Sequence, residues 1–305
     1  LSFSLVLLGP TAVGKSQLAL SIAERLQIPI ISVDSRQSYK KLDIGTAKPS
    51  PEEQKAVQHL NIDVKDPSEH DDVQQFLHRC ENYTQNQSLA FYCGGSTLHL
   101  QGVLFGFDPL PSADKQFISE LEKRIKENGI EDLYTELQKK DPEYTAEMDG
   151  MNRQRIIRAL DVIHQTNQPF SSFHTTDFSQ KPNNALVIGL TRDRQKLYNR
   201  INKRVDEMFE RGLEVEVRSL LTQNYTFQMP GMKTVGYREF EPFQKELISD
   251  TLSEKHKNEV AEKIKTQTRR YAKRQLTWFR RWPFIQWFHP DQKEEIMNLI
   301  QTEIP

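Results

Sequence analysis

GPTAVGKS at residues 9–16 decides the fold. The octet Gly9, Pro10, Thr11, Ala12, Val13, Gly14, Lys15, Ser16 fits G-x-x-x-x-G-K-[ST]. FSLVLL at 3–8 precedes it and reads as a short apolar strand. SQLALSIAERL at 16–26 follows, with Leu18, Ile22 and Leu26 at helical spacing. A strand, a glycine-rich turn and a helix form the context in which this motif is a phosphate site. The glycines let backbone N–H groups converge on an anion, and the helix adds its positive dipole end. Lys15 supplies a point charge to the terminal phosphates, and Ser16 offers a hydroxyl to Mg²⁺. The motif specifies a polyphosphate or diphosphate ligand without saying which one or what is done with it.

The chain has 305 residues, 27% charged and 36% hydrophobic, with a net charge of −1. That length suits one large α/β domain with an elaboration, or two domains. With no global basic excess, any contact to nucleic acid must come from local charge. The two cysteines, Cys80 and Cys93, have no metal-ligand spacing, and a reduced cytosolic setting is expected. No apolar run approaches membrane-spanning length and no signal-peptide pattern occurs, so no membrane partner is expected.

Short apolar runs at 3–8, 29–33, 89–93 and 185–190 alternate with helical patterns. This is the signature of a parallel sheet with crossover helices. Between Pro109 and Pro182 no strand-like run appears, and charged helical segments at 112–127, 130–140 and 151–166 dominate. The expected architecture is an α/β, P-loop NTPase-like parallel sheet flanked by helices, with an all-helical insertion domain. The core is assigned to 1–109 and 183–305 and the insertion to 110–182. Residues 166–184, rich in Ser, Thr, Asn and Pro, read as the return linker. Long helices are expected at 193–211, 212–224 and 254–281, and residues 284–288 form a strand or a packing tail.

Asp34 closes the second strand, at the carboxyl edge where open α/β sheets bind ligands. If that strand neighbours the first, Asp34 faces the phosphate loop. There its carboxylate ligates Mg²⁺ through water, acts as a general base, or simply caps a turn. The strand ending at Cys93 is built alike: Gly94 and Gly95 permit close backbone approach, and Ser96 stands at a helix start. Guanine-recognition (Asn-Lys-x-Asp) and switch (Asp-x-x-Gly) motifs are missing, which argues against a GTPase.

Residues 263–281 hold eight Lys or Arg and no acid, with Tyr271, Trp278 and Phe279 interleaved. On a helix, Arg270, Lys273, Arg274 and Thr277 share one side. Such a stripe binds phosphate backbones and stacks splayed RNA bases, or is a solvated face over core tryptophans. Arg153, Arg155 and Arg158 form a second patch, free if Ile156, Ile157 and Leu160 face the insertion's core. Arg200 and Arg204, at i and i+4, either clamp a diphosphate or pair with Glu207.

Together these pieces resemble the tRNA dimethylallyltransferases, also called tRNA isopentenyltransferases, in their bacterial-length form. The resemblance runs in order along nearly the whole chain. It comprises GPTAVGKS (9–16), SVDSRQSYKKLDIGTAKP (32–49), CGGSTLHL (93–100), PLPSAD (109–114), NRQRIIRAL (152–160), YNRINKRVDEMFERGLEVEV (198–217), KTVGYREF (233–240) and QTRRYAKRQLTWFRRW (267–282). It implies transfer of a dimethylallyl group from dimethylallyl diphosphate to N6 of the adenine 3′-adjacent to the anticodon, with diphosphate released. The phosphate loop then holds a leaving group instead of hydrolysing a nucleotide. By the same resemblance Arg204 reaches the diphosphate, Asp34 accepts the N6 proton, and Ser96 replaces a threonine that hydrogen-bonds near the reacting base. The tRNA-contacting segments map onto four stretches. These are Asp34, Ser35, Arg36 and Gln37; Gln154, Arg155, Ile156, Ile157 and Arg158; Lys233, Gly236, Tyr237 and Arg238; and Lys273, Arg274, Gln275, Trp278 and Arg280. The adenine must leave the loop stack to react. Mg²⁺ is the implied cofactor, the tRNA anticodon stem-loop the implied partner, and a monomer the expected state.

The chain departs from the family's Gly-Gly-Thr-Gly-Leu-Tyr, which here is Gly94-Gly95-Ser96-Thr97-Leu98-His99. A position after PSAD that often carries a tRNA-contacting arginine is Ile118. Two rival readings share the loop: an isopentenyltransferase acting on free AMP, ADP or ATP, and a small-molecule kinase. The first has less need of an arginine-lined insertion or a basic carboxyl-terminal helix.

Overall fold

The computed structural model describes residues 2–304. The chain runs β1 (Phe3–Leu8), α1 (Lys15–Leu26), β2 (Ile30–Val33), α2 (Pro51–Ala56), β3 (His59–Leu60), α3 (Val73–Thr84), β4 (Leu89–Gly94) and α4 (Thr97–Phe105). Four helices follow: α5 (Lys115–Asn128), α6 (Ile130–Lys140), α7 (Pro142–Ala146) and α8 (Arg153–Thr166). Then come β5 (Ala185–Leu190), α9 (Arg194–Glu210), α10 (Leu213–Thr222), α11 (Gln244–Ile248), α12 (Glu254–Phe279), β6 (Gln286–Phe288) and α13 (Lys293–Glu303).

The six strands pair in the order β3-β2-β4-β1-β5-β6, every pair parallel. The side-chain period of two sends alternate residues into two cores. Leu5, Leu7, Ile30, Phe91, Leu186 and Ile188 enter one with Leu18 and Ile22 of α1. Val6, Leu8, Ile31, Val33, Tyr92 and Val187 enter the other with Phe76, Leu100, Phe279 and Trp282. Burial on both faces is why these strands are continuous apolar runs in the sequence. A third core joins α9, α10 and α12 to Tyr39, Leu42, Tyr237 and Phe240.

The first two strands are not neighbours: β4 lies between β1 and β2. Gly94 makes this packing possible, since a Cβ there would stand 2.1 Å from the Val33 carbonyl oxygen. Because all strands are parallel, Asp34 still ends on the same sheet edge as the phosphate loop.

Two compact units are present, one of residues 106–177 and the other of everything before and after. Their boundaries lie a few residues earlier than 110 and 183. Phe178 belongs to the sheet unit because its ring meets Phe105 edge-on at 5.2 Å, with the Arg281 guanidinium above it. In the helical unit, Leu121, Leu133, Leu137, Ile156 and Leu160 form the core. Its return segment is more than a linker. Phe170 is buried, and the buried Asp141 carboxylate accepts the Ser171 N–H and hydroxyl at 2.8 and 2.9 Å. No described helix is long and apolar enough to cross a membrane.

Candidate active site

A cleft of about 450 Å³ opens at the carboxyl edge of the sheet, lined by the phosphate loop, Asp34, Gly94, Gly95, Arg200, Arg204 and Tyr271. Gly14 heads α1 at φ 118°, a conformation that L side chains rarely adopt, and it supplies no side-chain cap. The first-turn N–H groups of α1 are thus left for an anion. The loop is held from three sides. Arg200 Nε donates to the Ala12 carbonyl at 2.9 Å and Arg192 Nε to the Val13 carbonyl at 2.8 Å. Gln275 accepts the Thr11 N–H at 2.9 Å through Oε1 and donates to the Gly95 carbonyl at 2.7 Å through Nε2. These ties fix the Ala12 and Val13 carbonyls and the Thr11 amide in place.

Lys15 Nζ lies 2.9 Å from the carbonyl oxygens of both Gly9 and Pro10. Burial pulls its pKa down to about 8, with Cys93 and Asp34 opposing that shift and Arg204 reinforcing it. Only the ammonium form attracts a diphosphate. The KM for a diphosphate substrate should therefore be flat below pH 8 and climb about tenfold per unit above it as Lys15 loses its proton. Steady-state KM measured from about pH 6.5 to 9.5 checks this; a flat profile would show that Lys15 stays charged. Arg204 is also lowered by burial, with Asp34 opposing, and its Nη1 sits 3.5 Å from Thr11 Oγ1. Neither arginine of the pair is ion-paired to Glu207 among the described residues. Glu207 ion-pairs with Lys203, while both arginines face the loop.

Asp34 Oδ1 accepts the Arg36 N–H at 2.8 Å and the Gln37 N–H at 3.4 Å, so it does cap a turn. Oδ2 accepts no bond among the described residues and is available to the cleft. The wall that follows, residues 37–49, is tied by side chains. The Gln37 amide donates to the Thr46 and Ala47 carbonyls. Buried Lys48 bridges Asp43, Asp63 and the Tyr39 carbonyl. Glu216 accepts the N–H groups of Asp43, Ile44 and Gly45.

Among the described residues no cluster of three or more His, Cys, Asp or Glu forms a metal cage. The Ser16 hydroxyl and the Asp34 carboxylate are hard oxygen donors on the wall of one cleft. That set fits Mg²⁺, which takes one or two protein oxygens and completes its shell with substrate phosphates and water.

The other residues singled out from sequence divide by exposure. Arg36, Gln154, Arg155, Lys233, Arg238, Lys273, Arg274 and Arg280 are exposed, and Ser35 is half-buried. Other residues of the matched tRNA-contacting segments have their side chains engaged inside the protein. Ile156 and Ile157 are buried in the helical unit's core. Arg158 is not free: it bonds Asp161 at 2.6 Å and the Pro111 carbonyl at 2.6 Å, and Arg153 pairs with Glu122. Tyr237 is fully buried, its hydroxyl donating to Glu216 at 2.5 Å, and Gly236 donates its N–H to Glu239. Gln275 and Gln37 have both ends of their amides committed inside the protein. Trp278 is half-buried beneath Arg281. Ile118 packs against the helical core. Ser96 is buried one residue beyond the cleft wall, and its hydroxyl meets His99.

Arg192, Lys48 and Glu216 were missed, and Tyr271 was read only as an aromatic of the basic stretch. Tyr271 lines the cleft, with the Arg274 guanidinium over its ring. Its sequence signal was an aromatic one turn before Gln275 on the basic helix. Arg192 could have been found from its place just after β5, at the ligand-binding edge.

The profile of the family described as IPP transferase matches residues 37–282. Bacteroides thetaiotaomicron tRNA dimethylallyltransferase 1 is 37% identical over 306 residues, covering 98% of this chain and 95% of that protein. The Salinibacter ruber tRNA dimethylallyltransferase is 40% identical over 288 residues, covering 93% and 86%. The solved tRNA isopentenylpyrophosphate transferase of Bacillus halodurans superposes with a TM-score of 0.69 at 34% identity, covering 100% of this chain and 97% of that one. A eukaryotic dimethylallyltransferase acting on tRNA, 24% identical with a TM-score of 0.80, covers 100% of this chain and 81% of its own and bears on the fold alone. A phosphate loop facing a carboxylate across one cleft, and these likenesses over nearly the whole length, lead to one conclusion: the chain belongs to the IPP transferase family, the tRNA dimethylallyltransferases.

Proposed function

We propose that this protein transfers the dimethylallyl group of dimethylallyl diphosphate to N6 of the adenine 3′-adjacent to the anticodon of tRNA. The observation that carries the reading is the juxtaposition of Lys15, Arg204 and the α1 N-terminus with the free oxygen of Asp34 in one cleft. The C1–O bond to diphosphate breaks and an N6–C1 bond forms. Lys15, Arg204 and the loop amides stabilise charge on the departing diphosphate, where preorganised donors contribute most. Asp34 takes one N6 proton, which offsets the poor nucleophilicity of an aromatic amine. Mg²⁺ held by the Ser16 hydroxyl would add Lewis-acid neutralisation of the diphosphate.

The acceptor reading rests on the exposed cations of α12 and on Arg155 of the helical unit, which suit phosphate contacts. Replacing Lys273 and Arg274 together with Ala should flatten the slope of log K for the anticodon stem-loop against log salt by about one to two units. Dimethylallyl diphosphate affinity should stay unchanged. An unaltered slope would remove these two residues from the RNA interface. The acceptor itself is tested by offering labelled dimethylallyl diphosphate and Mg²⁺ with either an unmodified stem-loop or AMP. Transfer to the stem-loop is expected; efficient transfer to AMP with none to the stem-loop would replace tRNA by a free nucleotide.

A further inference from the structure

His99 stands where the family resemblance expects tyrosine, and it contacts Ser96, which the same resemblance implies hydrogen-bonds near the reacting base. Its Nδ1 is 2.9 Å from Ser96 Oγ. Ser96 and His99 are only 9% and 8% exposed. The Phe76 ring meets the imidazole edge-on, its centroid 4.7 Å away. The Ser96 N–H donates to the carbonyl of Val33, the residue before Asp34, at 3.1 Å. The Ser96 backbone is therefore tied to the strand that leads into Asp34, and it directly follows Gly94 and Gly95 of the cleft wall.

A hydroxyl has one hydrogen, so a neighbour that takes it fixes where the lone pairs point. Four charged groups face His99: Asp34 and Arg36 after β2, Asp71 ahead of α3, and Arg79 on α3. Arg79 is itself bound to both oxygens of Asp71. Their signs oppose one another, and burial leads in lowering the His99 pKa below its ordinary value. The imidazole is then neutral at pH 7 and has one nitrogen able to accept.

The geometry points to His99 as a positioning residue for the acceptor base: its Nδ1 takes the Ser96 proton and turns an Oγ lone pair toward the adenine N6–H. This rests on the acceptor reading above. The exocyclic amine then meets two acceptors, Asp34 for the proton that departs and Ser96 for the one that stays. His99 itself exchanges no proton with substrate. Protonating it reverses the pair, because Nδ1–H would donate to Oγ and present the hydroxyl hydrogen to the amine.

Three variants and one spectrum test this. His99→Phe should lower kcat on the stem-loop about threefold to tenfold, the worth of one neutral hydrogen bond, with stem-loop KM within twofold. His99→Asn carries a non-titrating acceptor near the position of Nδ1. It should restore kcat at neutral pH and remove the part of the acid-side fall that belongs to His99. In a Ser96→Ala background, His99→Phe should cost nothing further. Unchanged kcat in His99→Phe, an acid limb kept in full by His99→Asn, or losses that multiply in the double variant would each overturn the assignment. ¹⁵N NMR of the free protein reads the same polarity without turnover, so failure of the acceptor reading stays distinguishable. An unprotonated Nδ1 is expected, and a protonated Nδ1 at neutral pH contradicts the proposal.

Discussion

Asp34→Ala should lower kcat by about 10²–10⁴-fold, the range for loss of a general base, with stem-loop affinity within a few-fold of the unaltered chain. Alanine removes two things at once, because Oδ1 also caps the turn at Arg36 and Gln37. Asp34→Asn separates them. Its carbonyl oxygen still accepts both N–H groups, while the amide cannot take a proton. The base role predicts that asparagine loses as much kcat as alanine. A turn-capping role predicts that asparagine is near normal and alanine poor. Near-normal turnover in Asp34→Asn, measured under single-turnover conditions, would remove Asp34 from proton transfer.

Lys15→Ala and Arg204→Ala should each reduce kcat/KM for dimethylallyl diphosphate by about 10²–10³-fold. Both cations sit beside the loop that receives the leaving group, and both are held there at a desolvation cost that only an anion relieves. Their contribution grows as the C1–O bond breaks and negative charge accumulates on the diphosphate, so kcat falls along with kcat/KM. The two share one ligand, and their effects should combine less than multiplicatively. A variant defective only in stem-loop KM would contradict the assignment.

The sheet was legible because its strands are buried on both faces, which leaves uninterrupted apolar runs such as LVLL at 5–8 and ALVIGL at 185–190. The two-residue β3 carries no such run. The place of β4 between β2 and β1 was not legible either, since strand order rests on long-range packing, such as the close approach of Gly94 to Val33, and not on a local pattern. The phosphate loop and Asp34 were legible as a motif and a strand end. The ties that shape the cleft were not. Gln275 reaches Thr11 and Gly95 from far along the chain, and Glu216 reaches the backbone of 43–45 from another helix. The same long-range packing explains which residues of the matched tRNA-contacting segments are engaged inside. A matching segment on a helix presents only some of its residues outward, so Arg155 is exposed while Ile156 and Ile157 are core. The Ser96–His99 pair was not read from the sequence, although i, i+3 spacing at a helix start permits it.

The central claim is that the phosphate loop holds a diphosphate that departs intact while an adenine amine attacks carbon. Its most direct measurement is product analysis of the unaltered chain with dimethylallyl diphosphate, Mg²⁺ and an anticodon stem-loop carrying the target adenine. One inorganic diphosphate should be released for each N6-dimethylallyl adenine formed, and a stem-loop with purine in place of that adenine should yield neither. Release of orthophosphate, or ATP-dependent phosphorylation of an acceptor with no prenylated adenine, would contradict it.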